Sequence, residues 1–259
     1  MNSGTMMLNI ETTFLLFLGF FIIATFYSSV GFGGGSSYLA LLSVFAFSFF
    51  FIRSNAIICN ILVVSGSTFL FYKRGLFSMK SFLPFIITSI PMAFIGAQFK
   101  LNEKVFFILL GITLILSSFS LFYQAVQKNV PKSKIYPTYM SYFLGGGIGF
   151  LSGLIGIGGG IFLSPLLNHL NWGKPIKIAA LTAFFILVNS ISGLIGLLVS
   201  GSLELSWMTT VVFMAAVLLG GQLGVRLSLK KASPSAIRIG TACLVILVGL
   251  RILINKSFY

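Results

Sequence analysis

The chain has 259 residues, of which 57% are hydrophobic and 8% charged, with a formal net charge of +14 and a mean hydropathy of +1.06. Water-soluble domains carry about a quarter charged residues, so the composition excludes a soluble globule and leaves a polytopic membrane protein. There is no aspartate, and the carboxylates are Glu11, Glu103 and Glu204, which excludes paired-carboxylate catalysis, carboxylate metal sites and carboxylate proton relays.

At about 20 residues per crossing, the length admits roughly ten segments with short loops. Apolar stretches fall at 12–30, 37–52, 55–72, 82–99, 105–126, 137–155, 161–172, 176–200, 206–225 and 236–254. The first follows a terminus without Lys or Arg and precedes no small-residue cleavage pattern, so it is expected to be a retained span and not a signal peptide. Cys59 and Cys243 lie in apolar stretches and are expected to be buried, reduced thiols. The widest gap, Lys128 to Lys134, divides the chain into a first repeat at 1–127, a linker at 128–136 and a second repeat at 137–259.

Internal similarity supports the division. Gly31-Phe32-Gly33-Gly34-Gly35 returns 125 positions on as Gly156-Ile157-Gly158-Gly159-Gly160, and Gly96-Ala97-Gln98 returns 124 positions on as Gly220-Gly221-Gln222. Asn60 and Ser67 are expected to match Thr182 and Asn189, displaced by 122. Near-constant displacement is the mark of duplication.

Loop charges set the relative orientation of the halves. If each glycine-motif region crosses the bilayer once, the Lys and Arg residues divide 9 to 8 between the faces; if each enters and returns, they divide 12 to 5. The positive-inside rule selects the second arrangement. Each half then makes an odd number of crossings, and the halves are expected to form inverted repeats of about five helical segments with both termini outside. The basic residues sit in short gaps and form no extended face of the kind that binds nucleic acid.

Both glycine clusters interrupt apolar runs and are expected to break a helix. Irregular backbone at membrane depth persists only where protein or a water-filled cavity satisfies its amides. Helices beginning after Gly35 and Gly160 would aim their N–H groups and positive dipole ends at one place, and Pro165 suits the start of the second. Backbone donors at Gly33, Gly34, Gly35, Gly158, Gly159 and Gly160 would thus hold an anion. Neither copy completes a nucleotide fingerprint. Gly145, Gly149 and Gly153 have the small-xxx-small spacing of helix packing.

Asn60 and Ser67, and Thr182 and Asn189, are each seven apart and share a helix face; these faces are expected to line the route. Gln98 and Gln222 are able to donate amide hydrogens either to an anion or to a neighbouring helix. Ser65, Thr68, Ser190 and Ser192 are expected to bond to their own helix carbonyls. Arg53 and Lys177 stand in matching places after the short segments and are expected to snorkel to headgroups, and His169, beside Asn168 and Asn171, reads as interfacial. A serine-protease reading of Gly149 to Gly153 fails because no acid is placed to orient the lone histidine.

The chain resembles the TauE/SafE family of sulfite exporters and organosulfur-anion permeases. The resemblance rests on Gly31 to Gly35, Gly156 to Gly160 with Ser164-Pro165 after it, Ala180-Leu181-Thr182, and the Gly96 and Gly220 pairs, and it covers the whole chain. Ser36-Ser37 without a following Pro and Ala183 depart from the family pattern. The resemblance implies a secondary transporter, not an enzyme, without a cofactor, that moves sulfite, thiosulfate or a sulfonate across the bacterial inner membrane, mostly as efflux. A passive channel and a non-transporting subunit are the alternatives. For a coupling ion, carbonyls at the helix ends before Gly31 and Gly156 offer a place for Na⁺, and the spans offer no carboxylate for protons.

Overall fold

The computed structural model describes residues 9–29, 31–45, 47–99, 101–126, 134, 136–229 and 234–257; most of the expected linker at 128–136 lies outside them. Among these residues the chain is all helical: α1 (Ile10–Ser29), α2 (Gly35–Val44), α3 (Phe49–Lys73), α4 (Met79–Gln98), α5 (Glu103–Val126), α6 (Thr138–Ile155), α7 (Gly160–His169), α8 (Pro175–Val199), α9 (Trp207–Leu229) and α10 (Pro234–Ser257). Six of them, α1, α3, α4, α5, α8 and α9, contain stretches long and apolar enough to cross a membrane. At 1.5 Å per residue a ten-residue helix is about 15 Å long, so α2 and α7 reach halfway.

The expected stretch at 37–52 is divided. α2 stops at Val44 and α3 begins at Phe49, with the Ser48 hydroxyl accepting a hydrogen bond from the Phe51 N–H at 3.2 Å. Apolar periodicity is blind to this boundary because phenylalanines continue through it, and only the N-cap marks it. Pro165 is the sixth residue of α7, not part of its first turn. A proline there withholds the N–H that would bond to the Ile161 carbonyl, and the Ser117 hydroxyl of α5 donates to that carbonyl at 2.9 Å instead.

Packing pairs the elements reciprocally. α4 lies along α6 as α1 lies along α9; α3 packs on α8 and α5 on α10; α2 rests on α3 as α7 rests on α8. α3 and α8 form the interior, with 61% of their apolar windows buried against 28% for α1. Glycine permits the closest approaches. Added methyls at Gly145, Gly149 and Gly153 of α6 would strike Phe85, Ser89 and Ala93 backbone in α4, and methyls at Gly220 and Gly224 of α9 would strike the Phe21 and Thr25 carbonyls of α1. Small residues let membrane helices make this contact, since lipid supplies no hydrophobic drive between them. Gly96 is likewise a packing residue, facing the Phe150 carbonyl.

Phe20 of α1 is stacked between Tyr38 of α2 at 4.7 Å and Phe213 of α9 at 4.3 Å, which ties the first short helix to the bundle. Cys59 is buried as expected, but Cys243 is exposed. A thiol is apolar enough for an outward face of α10, so an apolar neighbourhood in the sequence does not distinguish core from lipid-facing surface.

Candidate functional site

Each glycine cluster ends one helix and starts another with the same backbone device. Gly31 after α1 and Gly156 after α6 have φ of 85° and 80°, and the Gly156 N–H bonds to the Ser152 carbonyl at 2.7 Å. Gly34 and Gly159, with φ of 87° and 76°, are the N-caps of α2 and α7. Left-handed backbone favours glycine on both sides of the break. Neither N-cap has a side-chain cap, so the first N–H groups of both short helices look elsewhere for acceptors.

Asn60 of α3 connects the two breaks. Its Oδ1 accepts from the Gly35 N–H at 3.3 Å, and its Nδ2 donates to the Ile157 carbonyl and to the Ser190 hydroxyl, both at 3.1 Å. The residue is fully buried. A methyl on Gly33 would collide with its Oδ1, and one on Gly158 would lie 2.7 Å from its Nδ2. Glycine is thus required at Gly33 and Gly158 by proximity to one amide.

The matching element of the second half is different. α3 and α8 each have 25 residues and start at Phe49 and Pro175, so Asn60 corresponds to Ile186. Methyls on Gly158 and Gly160 would meet Ile186 much as those on Gly33 and Gly35 would meet Asn60. The expected match of Asn60 with Thr182 and of Ser67 with Asn189 is therefore displaced by one helical turn. One turn returns a side chain to nearly the same face, so polarity alone does not settle the register.

Thr182 faces Gly160, with its Cγ2 2.9 Å from the place of a methyl there. Its hydroxyl is buried without a partner, as are the Ser152 hydroxyl, the Tyr38 hydroxyl and Asn189 Oδ1. Ser152 borders Gly159 and Tyr38 borders Gly34. Asn189 Nδ2 donates to the Phe185 carbonyl of its own helix at 2.8 Å. Ser67 and Ser65 bond to their own helix, whereas Ser190 bonds to Asn60 and Ser192 donates to Ile90 of α4 at 2.7 Å. The last two correct the sequence expectation, because a buried hydroxyl at a helix crossing has a neighbour's donor or acceptor within reach; Thr68 departs from it as well, its buried hydroxyl bonding to no carbonyl of its own helix. Gln98 is exposed at the end of α4 and donates to the Phe94 carbonyl at 3.4 Å, and Gln222 is exposed in α9 beside Gly66.

Arg53 does not snorkel. It is buried, and its guanidinium donates to the carbonyls of Gly153 at 2.6 Å, Leu154 at 3.2 Å and Ala97 at 3.4 Å, so it serves the C-terminal ends of α6 and α4. Its Nε has no partner. By the same register its counterpart is Ala179 and not Lys177: Gly31 faces Ala179 as Gly156 faces Arg53. Lys177 is half-buried, over the Trp172 ring at 5.3 Å and 3.4 Å from the Ser81 hydroxyl. The cue that finds Arg53 in the sequence is a cation inside an apolar run with no acid nearby. His169 is exposed at the end of α7.

Two hollows back the short helices. One of about 270 Å³ lies between α2, α1 and α10 and includes Ser37 and Arg251; the other, of about 720 Å³, lies between α7, α6 and α5 and includes Pro165 and His169.

Broken helices meeting at a buried amide inside a bundle of apolar spans are the build of a multi-pass membrane transporter. The family model described as "Sulfite exporter TauE/SafE" matches residues 15–252, and the chain belongs to that family. It is 32% identical over 243 residues to "Probable membrane transporter protein y4hK" of Sinorhizobium fredii, covering 92% of this chain and 97% of that protein. It is also 29% identical over 212 residues to "Probable membrane transporter protein YunE" of Bacillus subtilis, covering 74% and 77% respectively. No solved structure matches.

Proposed function

We propose that the protein exports a small sulfur-containing oxoanion, sulfite, thiosulfate or a sulfonate, across a bacterial inner membrane by alternating access between two inverted repeats. The observation that carries the reading is the meeting of both glycine breaks at Asn60, edged by the unpartnered hydroxyls of Tyr38, Ser152 and Thr182. Buried donors without acceptors are costly and suit a site whose acceptor is the cargo. The N-terminal ends of α2 and α7 add positive dipole ends, and Arg53 supplies a full positive charge about two turns along α3 from Asn60.

The reciprocal packing of α1 on α9 and α4 on α6 supports a two-fold relation between the halves. The hollows behind α2 and α7 leave room for each short helix to shift as the other stays seated. The loop charges support a topology with the broader basic face in the cytoplasm. Coupling to Na⁺ at the end of α6 has a competitor, because Arg53 already serves those carbonyls; the end of α1, where Ala179 replaces it, is the open position.

The test is flux in proteoliposomes loaded with sulfite, thiosulfate, short sulfonates, sulfate or chloride, with and without pH and Na⁺ gradients. Saturable export with counterflow of a sulfur oxoanion is expected. Flux that does not saturate identifies a channel, and no flux for any anion overturns the reading.

A further inference from the structure

A second anion-binding hollow lies apart from the glycine breaks. At the C-terminal ends of α3 and α9, a cavity of about 310 Å³ is walled by Lys73, Arg74 and Arg226, with Gln222 and Gly66 among the other lining residues. None of the chain's three carboxylates, Glu11, Glu103 and Glu204, lines it. Every charged group in the wall is therefore a donor and a cation. Lys73 is steadied over the Phe69 ring, with Nζ 4.7 Å from the centroid.

Charge complementarity to two helix C-termini explains cations at these ends, but it does not explain why they gather on one hollow. Nor does it explain Gly66, whose missing side chain leaves room for the Gln222 amide nitrogen. Gln222 adds a neutral donor to the three cations, and a guanidinium from each of two helices suits the oxygens of a single tetrahedral anion. The surroundings say how that anion arrives. Phe69, Tyr72, Leu223 and Leu227, on the same helix ends, are large exposed apolar side chains on helices that cross the membrane. An occupant of the hollow therefore has apolar chains to lay along the adjoining surface.

We propose that this cavity binds the phosphate of an anionic phospholipid, held by Lys73, Arg74, Arg226 and Gln222, with the acyl chains along the outer faces of α3 and α9. The loop charges put these helix ends at the cytoplasmic leaflet, where anionic lipid is abundant; that leaflet assignment rests on the topology proposed above, while the binding site does not.

The test uses the purified full chain in nanodiscs of phosphatidylcholine and phosphatidylglycerol in equal amounts, released by mild detergent and weighed by native mass spectrometry for retained lipid. The wild type is expected to retain phosphatidylglycerol in preference to phosphatidylcholine. Arg74→Gln and Arg226→Gln should each weaken retention about fivefold, and the double variant roughly 25-fold, as expected for loss of single cations at a lipid surface. Gly66→Leu, which fills the cavity and leaves every charge in place, should also lose retention. Lys80→Gln, a basic residue on the same proposed face but outside the cavity wall, should retain lipid like the wild type. Melting in phosphatidylcholine alone checks folding; if Gly66→Leu fails it, the two exposed arginine variants and Lys80→Gln carry the result. Equal retention of both lipids, unchanged retention in the double variant, or an equal loss in Lys80→Gln overturns the proposal. Displacement of the lipid by millimolar inorganic phosphate also overturns it, in favour of a soluble anion.

Discussion

The two glycine breaks share their flanking left-handed glycines, differ between them at Gly158, which is left-handed where Gly33 is not, and have different walls. Both use a left-handed glycine to end one helix and another to begin the next. The first is backed by an amide, Asn60, and by Ala179; the second by an aliphatic side chain, Ile186, and by Arg53. The two breaks thus share the feature that only backbone geometry permits and differ in the side chains that touch it. One amide and one guanidinium, both on α3, now serve carbonyls of the opposite half: Asn60 bonds to Ile157, and Arg53 bonds to Gly153 and Leu154. Polar contacts between the halves at the breaks are accordingly carried by the first half.

This asymmetry orders the expected effects of mutation. Gly33→Val drives a branched side chain into the Asn60 amide and should abolish flux; a variant that folds and transports normally would refute the close approach. Asn60→Leu removes three hydrogen bonds, and at about 0.6–1.7 kcal/mol for each interhelical bond it should cost roughly 2–5 kcal/mol in a denaturation titration. Its counterpart Ile186→Val should cost only about 0.5–1.5 kcal/mol. Equal losses from the two would end the claim that Asn60 joins the breaks.

Arg53→Lys keeps the charge but not the planar fork that reaches several carbonyls at once. It should lower flux about tenfold, the equivalent of roughly 1.4 kcal/mol, whereas Lys177→Arg should leave flux unchanged. The reverse pattern would make Lys177 the functional cation. Thr182→Val removes a hydroxyl that has no partner in the protein. Stability should hold or rise slightly, and the apparent KM for the exported anion should increase about threefold to tenfold for one lost hydrogen bond. An unchanged KM would show that the hydroxyl does not meet the cargo. Ser117→Ala strips the Ile161 carbonyl of its donor beside Pro165 and should cost about 0.6–1.7 kcal/mol of stability with no change in KM.

Much of this was legible in the chain itself. Among the described residues hydropathy marked an apolar stretch for each helix, though not the boundary between α2 and α3, and the repeated glycine pattern marked both breaks because few other residues accept that backbone. The glycines of α6 announced their packing through spacing alone. The register of one half against the other was not legible. Residues one turn apart occupy nearly the same face, and Asn60 looked equivalent to Thr182 until equal helix lengths set it opposite Ile186.

The amino-acid sequence determined the class of protein and the sites of the two glycine interruptions, since these depend on local composition measured against a membrane's thickness. Which side chain closes each interruption was decided by the tertiary structure. The distance between residues 53 and 153, or between 60 and 157, is set by how the packing of α3 on α8 brings its side chains to the end of α6 and the loop after it, and no local pattern encodes it. Burial of Arg53 follows for the same reason: a lone cation in an apolar run snorkels if its helix end faces headgroups and stays inside if bare helix carbonyls wait for it there.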